Sequence, residues 1–278
     1  MKKKRILIFL IILFVNSCSS NNEMPLDQTL TKSDTSLYIE AFKKLKAGDY
    51  EESSELFSEL DLLHPYSKWA IKGQLMSGFS LYQENNYEEA IFVLNKFINL
   101  NPNDKNLDYA HYLKGFCFYE RINNVSRDQE MAKKAEQTFT ELKNKFPNSK
   151  YSVKAQQHLK MLNNQLAGYE MTVGKYYQKK GRFIAATLRY KTIVKKYQNS
   201  AQIPESLYRI IECYLSLGIE PKAISLSNIL RFNFPDSIWT KEGLDLMKKN
   251  NIKLVNNKLM ENKYKVNIND INLDIFNF

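Results

Sequence analysis

Polar, apolar and small positions recur along this chain at a fixed distance. Tyr50 and Pro65 are followed 37 residues later by the same residue types, at Tyr87 and Pro102. Between each tyrosine and its proline, apolar residues return every three or four positions, the spacing of an amphipathic helix. Each proline is expected to end a helix, because it has no amide hydrogen and restrains the residue before it. The pattern predicts recurring pairs of helices.

Three more copies of the pattern follow, so that five repeats are predicted. A period near 34 with small residues, aromatic residues and a closing proline is the signature of the tetratricopeptide repeat (TPR), a helix-turn-helix unit that stacks on its neighbours. Five copies exceed the roughly three that a stable stack needs. We therefore predict an all-α fold, a right-handed superhelical solenoid over residues 37–237. Its repeats are placed near residues 34–67, 71–104, 108–149, 167–200 and 204–237.

Small residues are expected where paired helices approach most closely, with large residues filling the gaps between them. The third repeat has a lengthened turn at residues 121–127, and the fourth has Gln198 in place of the closing proline. Neither departure is expected to disturb the fold. The small positions are Gly78, Ala90, Gly115, Ala135, Gly174, Ala186 and Ala223.

The N-terminus has the pattern of an export signal. Four cations stand among the first five residues, and an unbroken apolar run extends from Ile6 to Val15. A bilayer-spanning helix needs roughly 17–25 such residues, so the run is too short to be a confident membrane span. The stretch ending in Cys18 resembles the lipobox of bacterial lipoproteins, in which the cysteine becomes lipidated. We predict a signal peptide over residues 1–17.

Three further assignments complete the organisation of the chain. Residues 18–36 are polar and contain Pro25, so we expect a lipidated Cys18 followed by a flexible tether. Residues 238–278 are expected to form a C-terminal helix and an Asn-rich tail. In the lipoprotein families that this signal resembles, a non-acidic residue such as Ser19 goes with passage to the outer membrane.

The net charge of the whole chain first suggests an anionic partner. Lys and Arg number 40 against 30 Asp and Glu, which gives a formal charge of +10, and clustered cations attract phosphate. Removal of the signal peptide would leave +6, spread over helical segments as on an ordinary solvated face. An exported protein also meets little nucleic acid. We therefore predict no nucleic-acid partner.

The chain offers no recognisable catalytic or cofactor chemistry. Gly-rich phosphate-binding loops, zinc-protease motifs and serine-hydrolase motifs are all missing from the sequence. His64, His111 and His158 fall in different repeats without other ligands at metal-binding spacing. Cys117 and Cys213 lie two repeats apart, beyond disulfide reach, and are expected to be small core residues. We predict a non-enzymatic protein with no metal and no cofactor.

The first helices of the repeats carry an excess of aromatic residues on one predicted face. Counted from each repeat start, the second, fifth, ninth and twelfth positions should line the concave surface of the solenoid. In repeat four these positions include Lys175 and Gln178, so the surface is expected to become basic there. In repeats one to three they hold eight aromatic residues, Tyr38, Phe42, Phe79, Tyr82, Tyr109, Tyr112, Phe116 and Tyr119.

Two interpretations of these aromatic residues remain open. They could pack contacts between repeats or against the next helix. Alternatively they could form a peptide groove, in which rigid aromatic rings supply most of the contact energy and the lysines attract a carboxylate. A partner chain with an aromatic residue and a free C-terminus would suit the second interpretation.

Several longer stretches resemble the BamD family when they are taken in order. They include YIEAFKKLKAGDYEESSELF, YEEAIFVLNKFINLNPND, NLDYAHYLKGFCFYER, FPNSKY, YEMTVGKYYQKKGRFIAATLRY and FNFPDS. The likeness extends from about Tyr38 to Ser237. It implies a non-enzymatic TPR scaffold, lipid-anchored at the periplasmic face of the outer membrane, in the machinery that assembles β-barrel proteins.

The resemblance also implies partners for the two halves of the solenoid. Unfolded outer-membrane proteins would bind the N-terminal half, at the eight aromatic residues. The periplasmic domains of a BamA-like barrel protein would bind the C-terminal half, with Lys180, Arg182 and Arg189 as the contact residues expected there. Accessory BAM lipoproteins are expected as further partners, and the Asn-rich tail leaves their contacts open.

Two other classes of protein share some of these features. Another TPR adaptor lipoprotein of the envelope, for cell division or of the pilotin type in secretion, would have the same signal and repeats. An envelope enzyme supported by a helical solenoid would need a catalytic domain, and the residues after the last repeat are too few to form one.

Overall fold

The computed structural model describes residues 32–122, 129–254 and 258–265, and all regular structure within them is helical. The predicted signal peptide and Cys18 lie outside these residues. The all-α prediction is confirmed. The helices are α1 (Asp34–Ala47), α2 (Tyr50–Leu63), α3 (Lys68–Gln83), α4 (Tyr87–Leu100), α5 (Leu107–Glu120), α6 (Glu130–Lys145), α7 (Lys150–Lys179), α8 (Phe183–Lys196), α9 (Ile203–Ser216), α10 (Glu220–Asn233), α11 (Ile238–Lys249) and α12 (Lys258–Tyr264).

Successive helices pack against each other from α1 to α11, and α12 packs on α10. The first helices of neighbouring pairs also meet, because α1 contacts α3, α3 contacts α5, and α5 contacts α7. Contact between consecutive pairs, without long-range crossings, is the arrangement of a solenoid. The predicted stack of helix pairs is therefore present.

The turn inside a pair needs one residue with a positive φ. Gly48 (φ 87°) and Gly181 (φ 72°) supply it between α1 and α2 and between α7 and α8. Between α3 and α4 the same place is taken by Asn85 (φ 66°), a residue type that tolerates the left-handed conformation better than most. The turn geometry therefore recurs even where the sequence does not repeat the glycine.

The end of each second helix also recurs. α10 ends two residues before Pro235, and its capping residue Phe234 has φ −134° and ψ 55°. α8 ends two residues before Gln198, and its capping residue Tyr197 has φ −117° and ψ 49°. Gln198 therefore leaves the helix end unchanged, as the sequence predicted.

Serine residues begin several of the first helices and connect neighbouring pairs. The hydroxyl oxygen of Ser67 accepts a hydrogen bond from the amide of Trp69, and that of Ser149 accepts one from Tyr151, as N-capping residues do. The same two hydroxyls donate to carboxylates one pair earlier, at 2.5 Å to Asp34 and 2.6 Å to Asp108. Each cap therefore ties the start of one first helix to the start of the next.

Small residues lie at the closest helix contacts, as predicted. A Cβ atom on Gly115 would stand 2.6 Å from the ring of Phe139, and one on Gly174 would stand 2.4 Å from the ring of Tyr190. Both rings are fully buried. Real Cβ atoms do not approach other atoms this closely, so each aromatic ring of a second helix fills a notch that only glycine leaves open.

Gly174→Ala is expected to lower the free energy of unfolding by about 1–3 kcal/mol through overpacking. The Tyr190 ring cannot simply swing away, because it is fully buried and its hydroxyl donates to Oε1 of Gln178 at 2.8 Å. Gly168→Ala on the same helix is the matched control, since its Cβ would meet nothing within 4 Å. That change is expected to raise the free energy of unfolding by about 0.5–1 kcal/mol. Urea denaturation measures both free energies of unfolding. Equal losses in the two variants would contradict the close fit of the Tyr190 ring against Gly174.

Helix α7 departs from the predicted start of repeat four at Ala167. It begins at Lys150 and continues unbroken for 30 residues, with Ala167 inside it. The stretch contains no proline, and neither of its glycines has a positive φ. Its length lets it belong to two neighbouring units. It contacts α5 and α6 of the third pair, and it also forms a pair with α8.

Both cysteines of the solenoid are buried and unpaired, which confirms the prediction for them. Burial raises the pKa of Cys117 to about 12 and that of Cys213 to about 11, so both thiols stay protonated and inert. Among the helices that the structure describes, none combines the length and apolar character needed to cross a membrane.

Candidate functional site

The eight aromatic residues singled out in the sequence all lie half-buried on α1, α3 and α5. None is sealed in the core, and none stands free in solvent. Since these helices contact one another in order, the rings share the surface that the first helices form. The structure thus gives each ring one packed side and one accessible side.

Most of these rings form one continuous series of contacts, which we call the aromatic belt. Phe79 and Tyr82 of α3 have ring centres 6.5 Å apart, and Tyr82 lies 5.8 Å from Phe116 of α5. Phe116 then stacks on Tyr112 at 5.9 Å and on Tyr119 at 5.8 Å. The belt therefore crosses from the second helix pair to the third.

Helix α7 completes the belt from the other side. Tyr151 lies 5.4 Å from Tyr112 and 5.1 Å from Tyr109, ring centre to ring centre. His158, two turns further along α7, lies 5.1 Å from Phe116 and 5.0 Å from Tyr119. The sequence interpretation did not include either α7 residue. Their separation by seven residues, two helical turns, is the signal that could have placed them on one face.

The His158 ring is a structural part of the belt. It stacks on the buried Phe139 ring at 5.4 Å, and its Nε2 lies 3.5 Å from the Tyr112 hydroxyl. Burial lowers the pKa of His158, and the nearby Glu120 carboxylate opposes this only in part. The imidazole is therefore neutral near pH 7 and contributes an uncharged face to the belt.

A smaller aromatic group lies at the N-terminal end of the solenoid. Tyr38 stacks on Phe42 at 6.1 Å and lies 4.6 Å from Trp69. The ammonium groups of Lys46 and Lys72 lie over Phe42 and Trp69, at 4.9 Å and 4.6 Å from the ring centres. Cation–π contacts of this kind hold positive charge beside the rings.

The lysine that was expected to make the surface basic in repeat four is paired with a carboxylate in the structure. Lys175 of α7 pairs with Glu205 of α9 at 2.7 Å, and Arg209 binds the same carboxylate at 3.3 Å. The side-chain amide of Gln178 donates to Glu212 at 2.9 Å. These interactions join α7 to α9, so Lys175 serves this junction and its charge is neutralised there.

Of the three residues expected at the barrel-subunit contact, Lys180 and Arg182 lie at the turn between α7 and α8, and Arg189 lies within α8. Arg189 pairs with the buried carboxylate of Glu170 at 3.2 Å. Lys180 and Arg182 are exposed, and neither meets a carboxylate among the described residues. All three remain predicted contacts, and Arg189 differs from the other two in having its charge paired within the chain.

Exposed apolar side chains flank these two cations. Tyr176 is 60% exposed at the end of α7, and Ile184 and Leu188 are 53% and 55% exposed one turn apart on α8. Together with Lys180 and Arg182 they form what we call the α7–α8 edge. An apolar patch with cations at its border has the composition of a protein-binding surface.

No group of three metal-ligating side chains occurs within the part of the chain that the structure describes. His111 is buried against Phe146, with ring centres 5.9 Å apart, and burial lowers its pKa to about 4. His64 caps α2, and its Nε2 lies 2.9 Å from the carbonyl oxygen of Lys32. The three histidines therefore stand in separate structural environments.

Comparison with known proteins shows what the chain resembles. Residues 31–229 match the family YfiO, described as outer membrane lipoprotein. Outer membrane protein assembly factor BamD of Caulobacter vibrioides is 35% identical over 217 residues, which cover 78% of this chain and 71% of the relative. Its counterpart in Rickettsia prowazekii is 34% identical over 212 residues, covering 76% and 84%. Among solved structures, the TPR2AB-domain:pHSP90-complex of yeast Sti1 aligns over 78% of this chain and 84% of the matched chain, with a TM-score of 0.42 and 17% sequence identity. A similarity this low supports no conclusion about the fold.

Proposed function

This chain belongs to the YfiO family of outer membrane lipoproteins, and on that premise we propose that it is a non-enzymatic scaffold for β-barrel assembly. It binds unfolded outer-membrane proteins and a BamA-like barrel protein at two separate surfaces, and so promotes folding and insertion of the barrel. This proposal rests on the aromatic belt, a series of half-buried rings that pack on Phe139 of α6 and on Tyr151 and His158 of α7.

The spacing of the belt suits an extended barrel segment. Strands of outer-membrane barrels alternate apolar and polar residues, and alternate side chains on one face of a strand stand about 6.4–6.8 Å apart. Ring centres along the belt are separated by 6.5 Å from Phe79 to Tyr82 and by 5.8 Å from Tyr82 to Phe116. The apolar face of an unfolded strand can therefore meet successive rings.

The underside of the belt makes this surface rigid. Phe139 meets Tyr112 of α5 in a tilted contact, and His158 meets Phe116 of α5 edge-on. Because these contacts already restrict the rings, little side-chain freedom is lost when a partner binds. Aromatic rings provide a large contact area whose chemistry suits many sequences. A surface of this kind favours many different barrel chains of one general pattern.

The α7–α8 edge is the surface that we assign to the barrel subunit. It lies on a different part of the chain from the belt, and its apolar residues Ile184 and Leu188 border Lys180 and Arg182. Cations at the border of an interface steer a partner that carries carboxylates, while the apolar centre supplies contact energy. Arg189 supports this edge through its pair with Glu170.

The N-terminal tether enters the solenoid at a fixed point. Lys32 presents its carbonyl oxygen to His64, and its ammonium group pairs with Glu40 at 2.6 Å. We place the lipid anchor at Cys18, which puts at most about 50 Å of extended chain between the membrane and this entry point. The solenoid is thereby held near the periplasmic face of the outer membrane.

Two variants separate the proposed binding surfaces and act as controls for each other. Phe42→Ala, Phe79→Ala and Tyr82→Ala remove rings of the first two helix pairs that do not contact Phe139. Crosslinking to a synthetic barrel strand is expected to fall at least tenfold for this variant, because about 1.4 kcal/mol of contact energy corresponds to each factor of ten. Its copurification with the BamA-like protein should persist.

Arg182→Glu with Leu188→Asp is expected to give the opposite result. The variant reverses a charge and places a carboxylate in the apolar centre of the α7–α8 edge, so copurification of the barrel subunit should be lost while strand crosslinking persists. Circular dichroism checks that both variants stay helical. If both folded variants lose both partners, or neither loses any, the assignment of two separate surfaces is wrong.

A further inference from the structure

A groove of about 590 Å³ lies at the C-terminal end of the solenoid, where α11 meets residues 251–254 beside α10. Leu244, 40% exposed, contributes to its apolar lining together with Met247, Ile252 and Leu254. Cations stand at Arg231, Lys248 and Lys253, and Asn251 completes the described lining. Glu242 and Asp245 of α11 are not part of it. The groove is thus apolar with a positive border.

The described chain ends close to this groove. α12 packs on α10, and the side-chain amide of Asn233 donates to the carbonyl oxygen of Tyr264 at 2.8 Å. Asn233 is two residues from Arg231, which lines the groove. Thirteen residues follow Lys265, enough for about 43–47 Å if extended. The segment 266–278 therefore starts within easy reach of the groove.

The composition of this C-terminal segment complements the groove. Seven of its 13 residues are apolar, and it contains no Lys or Arg. Asp270 and Asp274 give it two negative charges, opposite in sign to Lys248 and Lys253 at the border of the groove. Lys248 and Lys253 form no ion pair with the described residues, so they are available to these carboxylates.

We propose that residues 266–278 bind back into this groove in the same molecule. Apolar side chains of the segment cover Leu244, Met247 and Ile252, while its carboxylates approach Lys248 and Lys253. A short link gives the segment an effective concentration in the millimolar range, so weak individual contacts suffice. This inference does not depend on the proposed function.

Hydrogen exchange tests the proposal on the mature chain. Backbone amides over residues 244–254 are expected to exchange about tenfold more slowly in the full chain than in a chain that stops after Lys265, because docking restricts local opening. Lys248→Glu with Lys253→Glu in the full chain should abolish this protection. Adding Asp270→Lys and Asp274→Lys to that variant should restore it, since the charges are then exchanged.

Lys241→Glu with Lys249→Glu is the matched control, because both lysines are exposed on α11 and neither lines the groove. This variant has the same charge change and should keep the protection. Equal exchange in the full and shortened chains would overturn the proposal. Protection that rises with protein concentration would also overturn it, by showing that the segment binds a second copy instead. If the variant with all four charges reversed does not regain protection, the ion pairs between the segment and Lys248 and Lys253 are excluded.

Discussion

Phe139→Ala is expected to lower the free energy of unfolding by about 3–5 kcal/mol, the cost of removing a fully buried aromatic ring. The ring has no exposed surface and fills the notch at Gly115. It also stacks on His158 at 5.4 Å and lies 6.0 Å from Tyr112. The cavity cannot close easily, because α5, α6 and α7 all meet around it. The variant should therefore weaken the fold and the support of the aromatic belt together.

Phe92→Ala is the matched control for this prediction. Phe92 is also a phenylalanine of a second helix, on α4, but it is 70% exposed. Its replacement should change the free energy of unfolding by no more than about 0.5 kcal/mol. Chemical denaturation of the two variants compares them directly. Equal losses of unfolding free energy would show that the Phe139 ring does not support the core between α5, α6 and α7.

The repeat architecture could be predicted from the sequence because its signals are local. Proline positions, glycine turns and small residues each specify a helix end or a close contact within one pair. Asn85 replaces the turn glycine in one repeat, and Gln198 replaces the closing proline in another, yet the backbone geometry at both places is unchanged. The remaining signals of each repeat are therefore enough to identify it. Helix α7 was placed less well, because nothing in a local pattern tells how far a helix without a breaker continues.

The partners of individual side chains could not be predicted in the same way. The eight aromatic residues were identified from their positions on the first helices, but Tyr151 and His158 reach them from a helix more than 30 residues away. Lys175 was expected to be available to a ligand, and Glu205 neutralises it across the α7–α9 junction. Both outcomes depend on packing between helix pairs, which a single repeat does not encode.

Depletion of the chain from its native cell is expected to have the largest effect of all. Unfolded barrel proteins expose apolar faces and unpaired strand edges, so without a scaffold they aggregate or are degraded. Barrel proteins should therefore disappear from the outer membrane, while lipoproteins without a barrel should remain as the internal control. Resupply of the wild-type chain should restore the barrels, and the Phe42, Phe79 and Tyr82 alanine variant should not.

The amount of folded barrel protein in the outer membrane after depletion shows whether this chain acts in barrel assembly. If it does, barrel proteins are severely lost, and the wild-type chain reverses the loss. Normal accumulation of folded barrels in depleted cells would contradict this role.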